Sequence, residues 1–189
     1  MFQGSNILPP LRLVFLMWVV FTFQTLTGFD LGFLGILPWS ISGLIGVLTA
    51  PLIHGNSSHL ISNTLPLLFL GTTLFVFYKK HALLVFSQCY LMTNLLVWIF
   101  GREFYHIGAS GLVYGIAFFL ISIGIFKRKV ISIMISIIVI LLYGGLIYGL
   151  NPGNQSISWE SHLFGAIVGI GIAYGITRSD IKANKISNS

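Results

Sequence analysis

Apolar residues fill this chain in long unbroken stretches, and polar residues fall into the short gaps between them. That pattern is neither the alternation of a half-buried strand nor the one-sided stripe of a helix on a soluble core. Six stretches are long enough to cross a ~30 Å hydrocarbon layer as helices. They are residues 13–29, 60–78, 82–100, 110–126, 130–149 and 159–177. The segment Leu31 to Ile53 is uncharged and could pass for a seventh, but Gly32, Gly35, Pro38, Gly43, Gly46 and Pro51 interrupt it. Glycine and proline both weaken a helix interior. The segment reads as a loop lying partly in the outer leaflet, its backbone shielded by other protein. The pattern predicts an all-α membrane protein, a single integral domain over residues 1–189 with six transmembrane helices.

Composition agrees, since 56% of residues are hydrophobic and 7% charged, against about a quarter charged in ordinary soluble domains. A net charge of +6 would suit a nucleic-acid partner, but the positions of the basic residues explain it otherwise. With the N-terminus in the cytoplasm and six spans, Arg12, Lys79, Lys80, Lys127, Arg128, Lys129, Arg178, Lys182 and Lys185 all fall inside, and of the 10 Lys and Arg residues only Arg102 falls outside. Cytoplasmic N- and C-termini therefore satisfy the positive-inside rule. The lipid bilayer, not a nucleic acid, is the implied partner. Trp39, Trp98 and Trp159 land at the outer boundary, where indoles prefer to sit. The first stretch lacks an A-x-A-like cleavage site and reads as a retained helix. Cys89 has no partner cysteine, so neither a disulfide nor a cysteine-ligated metal is expected, and no cofactor is implied.

Polar residues within spans are costly and call for a functional reading. Three groups stand out: His54-Gly-Asn-Ser-Ser-His59 continuing to Asn63, Gly108-Ala-Ser110-Gly111 continuing to Tyr114, and Ser161-His162 continuing to Gly165 and Gly169. Counting to the cytoplasmic charge that ends each helix, Ser110 is 17 residues from Lys127, His162 is 16 from Arg178 and Asn63 is 16 from Lys79. At 1.5 Å per residue all three lie ~24 to 26 Å above the inner charges. Gly111 and Gly115 form one GxxxG step and Gly165 and Gly169 another, letting the fourth and sixth helices approach closely. Ser110 can then reach His162, the arrangement a hydroxyl nucleophile needs from its base. Such glycine steps also pack membrane helices without chemistry, and a lone histidine near a helix end is usually a packing residue. His81 reads that way, and His106, between the third and fourth stretches, reads as an exposed or loop residue.

Together these residues resemble the rhomboid intramembrane serine proteases. The resemblance covers nearly the whole chain and rests on three ordered motifs: His54-x4-His59-x3-Asn63, Gly108-x-Ser110-Gly111, and His162-x2-Gly165-x3-Gly169. It implies a six-helix bundle of the minimal prokaryotic type in a bacterial inner membrane, its site opening to the extracytoplasmic side. It implies Ser110 as nucleophile and His162 as base, with His59, Asn63 and the Ser110 N–H as oxyanion donors and Tyr114 packed on the imidazole. The implied substrates are single-span membrane proteins, cleaved in or near their transmembrane segment. One departure is that Ile45 and Gly46 stand where many relatives carry a Trp-Arg pair in the first outer loop. Glu160, two residues from His162, faces another side, and Glu103 and Asp30 belong to outer loops, so a dyad is expected and not a triad. Two other readings compete: a transporter, disfavoured by the lack of an inverted repeat or intramembrane carboxylates, and a catalytically inactive client-binding relative, disfavoured by the presence of both dyad residues.

Overall fold

Two prolines open the first helix. Pro9 and Pro10 fit its first turn, where no N–H is required, so α1 runs Leu8–Thr27 and stops at Gly28, whose φ of 69° lets its N–H bond the Gln24 carbonyl. The computed structural model describes residues 7–153 and 157–187, and the Lys185 side chain, counted above with the cytoplasmic charges, lies outside the described residues. After the short helix α2 (Gly46–Thr49), the chain forms α3 (Ser57–Phe77), α4 (Lys79–Phe100), α5 (Ser110–Lys127), α6 (Val130–Tyr143) and α7 (Trp159–Ser187). Each of the six apolar stretches overlaps one of the long helices, with shifted ends that have local causes. Asn56 caps α3 by accepting the His59 N–H at 2.8 Å, which starts the helix three residues before the apolar stretch that begins at residue 60. Gly144 and Gly145 end α6, and the chain tightens into a 3-10 turn, Gly144–Leu150.

Helix α5 occupies the centre, buried along most of its length and packed by α3, α4, α6 and α7. Its contact with α7 is the most extensive and depends on glycine. A Cβ on Gly165 would strike the Gly111 carbonyl oxygen, and one on Gly169 would strike that of Gly115. Large apolar side chains such as Phe15, Leu26, Val130 and Leu141 point outward from α1 and α6. With five helices among the described residues long and apolar enough to cross a membrane, this surface meets lipid, and the chain is an integral membrane protein.

The segment from Gly28 to Asn56 forms no spanning helix. It lies against α4 as a series of helical turns, held by polar bonds to residues of that helix. Trp39 Nε1 donates to the Ile99 carbonyl at 2.8 Å, Trp98 Nε1 to that of Ser40 at 2.9 Å, and Asn94 Nδ2 to that of Val47 at 3.0 Å. Gly46 is needed there because any Cβ would collide with the Gly35 carbonyl. Ile36 and His106 exchange backbone bonds of 2.9 and 2.8 Å, tying the segment to the loop that leads into α5.

Candidate active site

Ser110 is the first residue of α5 and His162 lies in the first turn of α7. The close approach of these helices leaves His162 Nε2 2.9 Å from Ser110 Oγ. The other ring nitrogen, Nδ1, is 2.8 Å from the Gly149 carbonyl oxygen. A carbonyl only accepts, so Nδ1 carries the proton and Nε2 is free to accept the Ser110 O–H. Tyr114 stacks on the imidazole with centroids 4.1 Å apart and planes 1° from parallel. Its hydroxyl donates to the Leu146 carbonyl at 2.7 Å. Both carbonyls come from the 3-10 turn after α6, and that of Gly149 lies at its end, where no further helical donor follows.

Ser110 and His162 open into a cavity of about 730 Å³ lined also by His59, Asn63, Tyr114 and Ser158 among others. Asn63 is buried and gives one amide hydrogen to the His59 carbonyl at 2.8 Å, leaving a second donor. The His59 ring lies so close to Gly108 that a Cβ there would sit 2.5 Å from Nε2. Gly108, at φ 102°, thus brings the loop against the ring and turns it into α5. Ser110 presents its backbone N–H at the positive end of the α5 dipole. His54 stands behind His59, ring centroids 4.9 Å apart, 1% exposed. Burial, reinforced by the nearby His59, lowers its pKa to about 4. A groove of about 700 Å³ runs beside the cavity between α3 and α6, lined by Ser57, Ser58, Ile61, Ser62, Leu65, Pro66, Leu142 and Tyr143. Ser58 and Ser62 line both spaces. Pro66 has no N–H to give the Ser62 carbonyl four residues earlier, which frees a polar acceptor on this wall.

All ten residues singled out in the sequence gather here, Gly111, Gly165 and Gly169 in the helix contact and the others around the cavity. Glu160 does turn away from His162, toward the Arg102 guanidinium, with which it forms an ion pair. His106 requires a correction. It does lie in the loop between α4 and α5, but it is only 1% exposed, with Nδ1 2.6 Å from Ser158 Oγ and Nε2 3.0 Å from the Arg102 carbonyl. Burial lowers its pKa. The backbone acceptors Gly149 and Leu146 had no signal in the sequence, because a carbonyl is the same at every residue. The glycines at 144 and 145 were the one hint that α6 would end early enough to expose them.

Comparison with known proteins identifies the family. Residues 41–179 match the Rhomboid domain, a stretch that includes every residue of the site. Uncharacterized proteins of Mycobacterium tuberculosis and Mycobacterium bovis are each 35% identical over 188 residues, covering 95% of this chain and 78% of theirs. One from Mycobacterium leprae is 31% identical over 198 residues, covering 100% of this chain and 77% of its own. The chain belongs to the rhomboid family.

Proposed function

We propose that the chain is an intramembrane serine endopeptidase that cleaves single-span membrane proteins in or near their transmembrane segment. The observation that carries this reading is the 2.9 Å contact between Ser110 Oγ and His162 Nε2 in the tautomer that accepts the serine proton. Attack begins as the Ser110 proton passes to Nε2 and Oγ bonds to the scissile carbonyl carbon. The resulting oxyanion is held by the Ser110 N–H, His59 and the spare Asn63 amide hydrogen. Collapse breaks the C–N bond, and His162 returns the proton to the leaving amine. Water then gives a proton to His162 as it attacks the acyl ester, the bond from the carbonyl carbon to Oγ breaks to release the carboxylic acid, and His162 returns the proton to Ser110 Oγ.

In this reading α7 is the sixth span. Its first turn carries Glu160, Ser161 and His162 and its last turns carry Arg178, Asp180 and Lys182, polar residues that flank the apolar stretch between them. Both termini lie in the cytoplasm, and the cavity faces the extracytoplasmic side of a bacterial inner membrane. Lys127 and Asp180 pair at 2.6 Å at the far end of α5 from Ser110, in keeping with a basic cytoplasmic end. The α3/α6 groove offers substrate a lateral route from lipid, and the Ser58 and Ser62 wall offers polar partners to a helix as it unwinds. The test is cleavage of a single-span reporter in liposomes by the parent and by Ser110→Ala. Cleavage that survives in the variant refutes the nucleophile.

A further inference from the structure

Four residues before each member of the Ser110–His162 pair stands a member of a second pair. His106 precedes Ser110 and Ser158 precedes His162, so both pairs span the same separation of 52 residues. The second pair has a defined direction. The Arg102 carbonyl can only accept, so His106 Nε2 carries the proton and Nδ1 takes the Ser158 O–H at 2.6 Å. With its own hydrogen committed, Ser158 Oγ accepts the Ser161 O–H at 2.6 Å. It also caps the start of α7 by facing the Ser161 N–H at 3.4 Å.

Each end of this chain is anchored. The His106 backbone is bonded in both directions to Ile36. Arg102 grips Glu160, and its Nη2 donates to the Ile157 carbonyl at 3.1 Å. The first outer segment, the loop entering α5 and the first turn of α7 therefore meet at one point.

The glycine contact between α5 and α7 sets how near the two helices lie. A smooth face of glycines resists axial sliding poorly, because dispersion contacts have little direction. A hydrogen bond has direction. Moving α7 by one residue is a ~1.5 Å shift, enough to break a bond of 2.6 or 2.9 Å. We propose that His106 and Ser158 form a positioning clamp that fixes the axial height of α7 against the start of α5, and thereby holds Ser110 and His162 at bonding distance. Neither clamp residue needs to touch substrate. On α7, Ser158 and His162 are one turn apart on the same side, so displacement of one is displacement of the other.

The clamp rests on the proposed function only for its kinetic consequence, and the test separates the two. The full chain is prepared in detergent with 15N-labelled histidine, and the His162 ring signals are assigned by their loss in His162→Gln. Ser158→Ala and His106→Leu should shift the His162 signals while the thermal unfolding midpoint stays near that of the parent. His106→Gln should preserve them, because its amide can accept from Ser158 and donate to Arg102. In reporter cleavage, kcat should fall ~10- to 100-fold in the first two variants with KM unchanged, as a misplacement of about 1 Å implies, and recover in His106→Gln. His162 signals that superimpose on the parent in Ser158→Ala overturn the clamp, as does an equal kinetic loss in His106→Gln. Should His106→Leu fail to fold, Ser158→Ala, which removes one oxygen, decides the matter alone. Shifted signals in a chain whose parent never cleaves would leave the clamp standing and refute the protease reading.

Discussion

Adding one methyl group to Gly165 should disable the site without touching a polar atom. The new Cβ would overlap the Gly111 carbonyl oxygen and lie 3.1 Å from both the Gly111 carbonyl carbon and the Gly115 nitrogen. These are backbone atoms and cannot rotate away, so α5 and α7 must part by ~1 Å to restore ordinary contact. Ser110 adjoins Gly111, and His162 lies one turn before Gly165. The displacement therefore falls on the 2.9 Å bond between them, stretching it to about 4 Å, beyond hydrogen-bonding range. A misplacement of that size costs ~10²-fold in rate. The assay is reporter cleavage, run beside labelling of Ser110 by a serine-directed fluorophosphonate and a thermal melt. Gly171→Ala is the control: it is on the same helix and nothing lies within 4 Å of its Cβ, so it should leave the rate unchanged and stabilise the helix by ~0.5 to 1 kcal/mol. A folded Gly165→Ala protein with parental kcat would refute the claim that close glycine packing sets the dyad.

Other perturbations separate the parts of the site. Asn63→Ala removes a donor from the cavity wall and should lower kcat ~10²- to 10³-fold with little change in KM; an unchanged kcat removes Asn63 from the oxyanion site. Tyr114→Phe keeps the ring stacked on His162 but loses the 2.7 Å bond to Leu146, worth ~0.5 to 1.5 kcal/mol, so stability should drop by that amount while kcat falls less than about tenfold. Acid should weaken the fold through His54. Its folded pKa is lowered to about 4 from 6.5, so the unfolded chain binds more protons between those values. Stability is full above pH 6.5 and declines by about 3 kcal/mol as pH falls to 4, with His106 adding in the same direction. A melting temperature that stays flat from pH 7 to 4.5 in detergent would contradict this.

The helices were legible because hydrophobic length is a coarse signal that survives any detail of packing. Their ends were less so. Proline at the start of α1, Asn56 before α3 and the paired glycines after Tyr143 each moved a boundary, and each acts through backbone groups that hydropathy does not weigh. The dyad was legible for a different reason. Side chains costly to bury in a membrane stand out, and cytoplasmic charges give them a ruler. His106 escaped because it lies in a loop, where a histidine is unremarkable until a serine 52 residues later is placed beside it. The anchoring of the first outer segment escaped likewise. Its indole and amide donors end on carbonyls of distant residues, pairings that a single sequence does not announce.

Among the described residues no carboxylate bonds the remote nitrogen of His162, and this has a physical reason in this setting. A histidine base needs its remote nitrogen held by an acceptor, and in water-facing sites an aspartate can serve. At membrane depth an ionised carboxylate carries a heavy desolvation cost. The Gly149 carbonyl performs the same orienting task without charge, and it is free because the 3-10 turn ends before another N–H can claim it. Glu160 meanwhile sits only two residues from His162 in the chain yet turns to Arg102 at the mouth of the bundle, where its charge is paired. This predicts that Gly149 cannot be replaced even by alanine. Its Cβ would collide with the Tyr114 hydroxyl and lie 3.0 Å from His162 Nδ1, pushing the acceptor away from the nitrogen it holds. Gly149→Ala should therefore lower kcat, while Gly145→Ala, four residues earlier with nothing within 4 Å, should not. Equal rates for the two would mean that the imidazole is oriented by Tyr114 stacking alone.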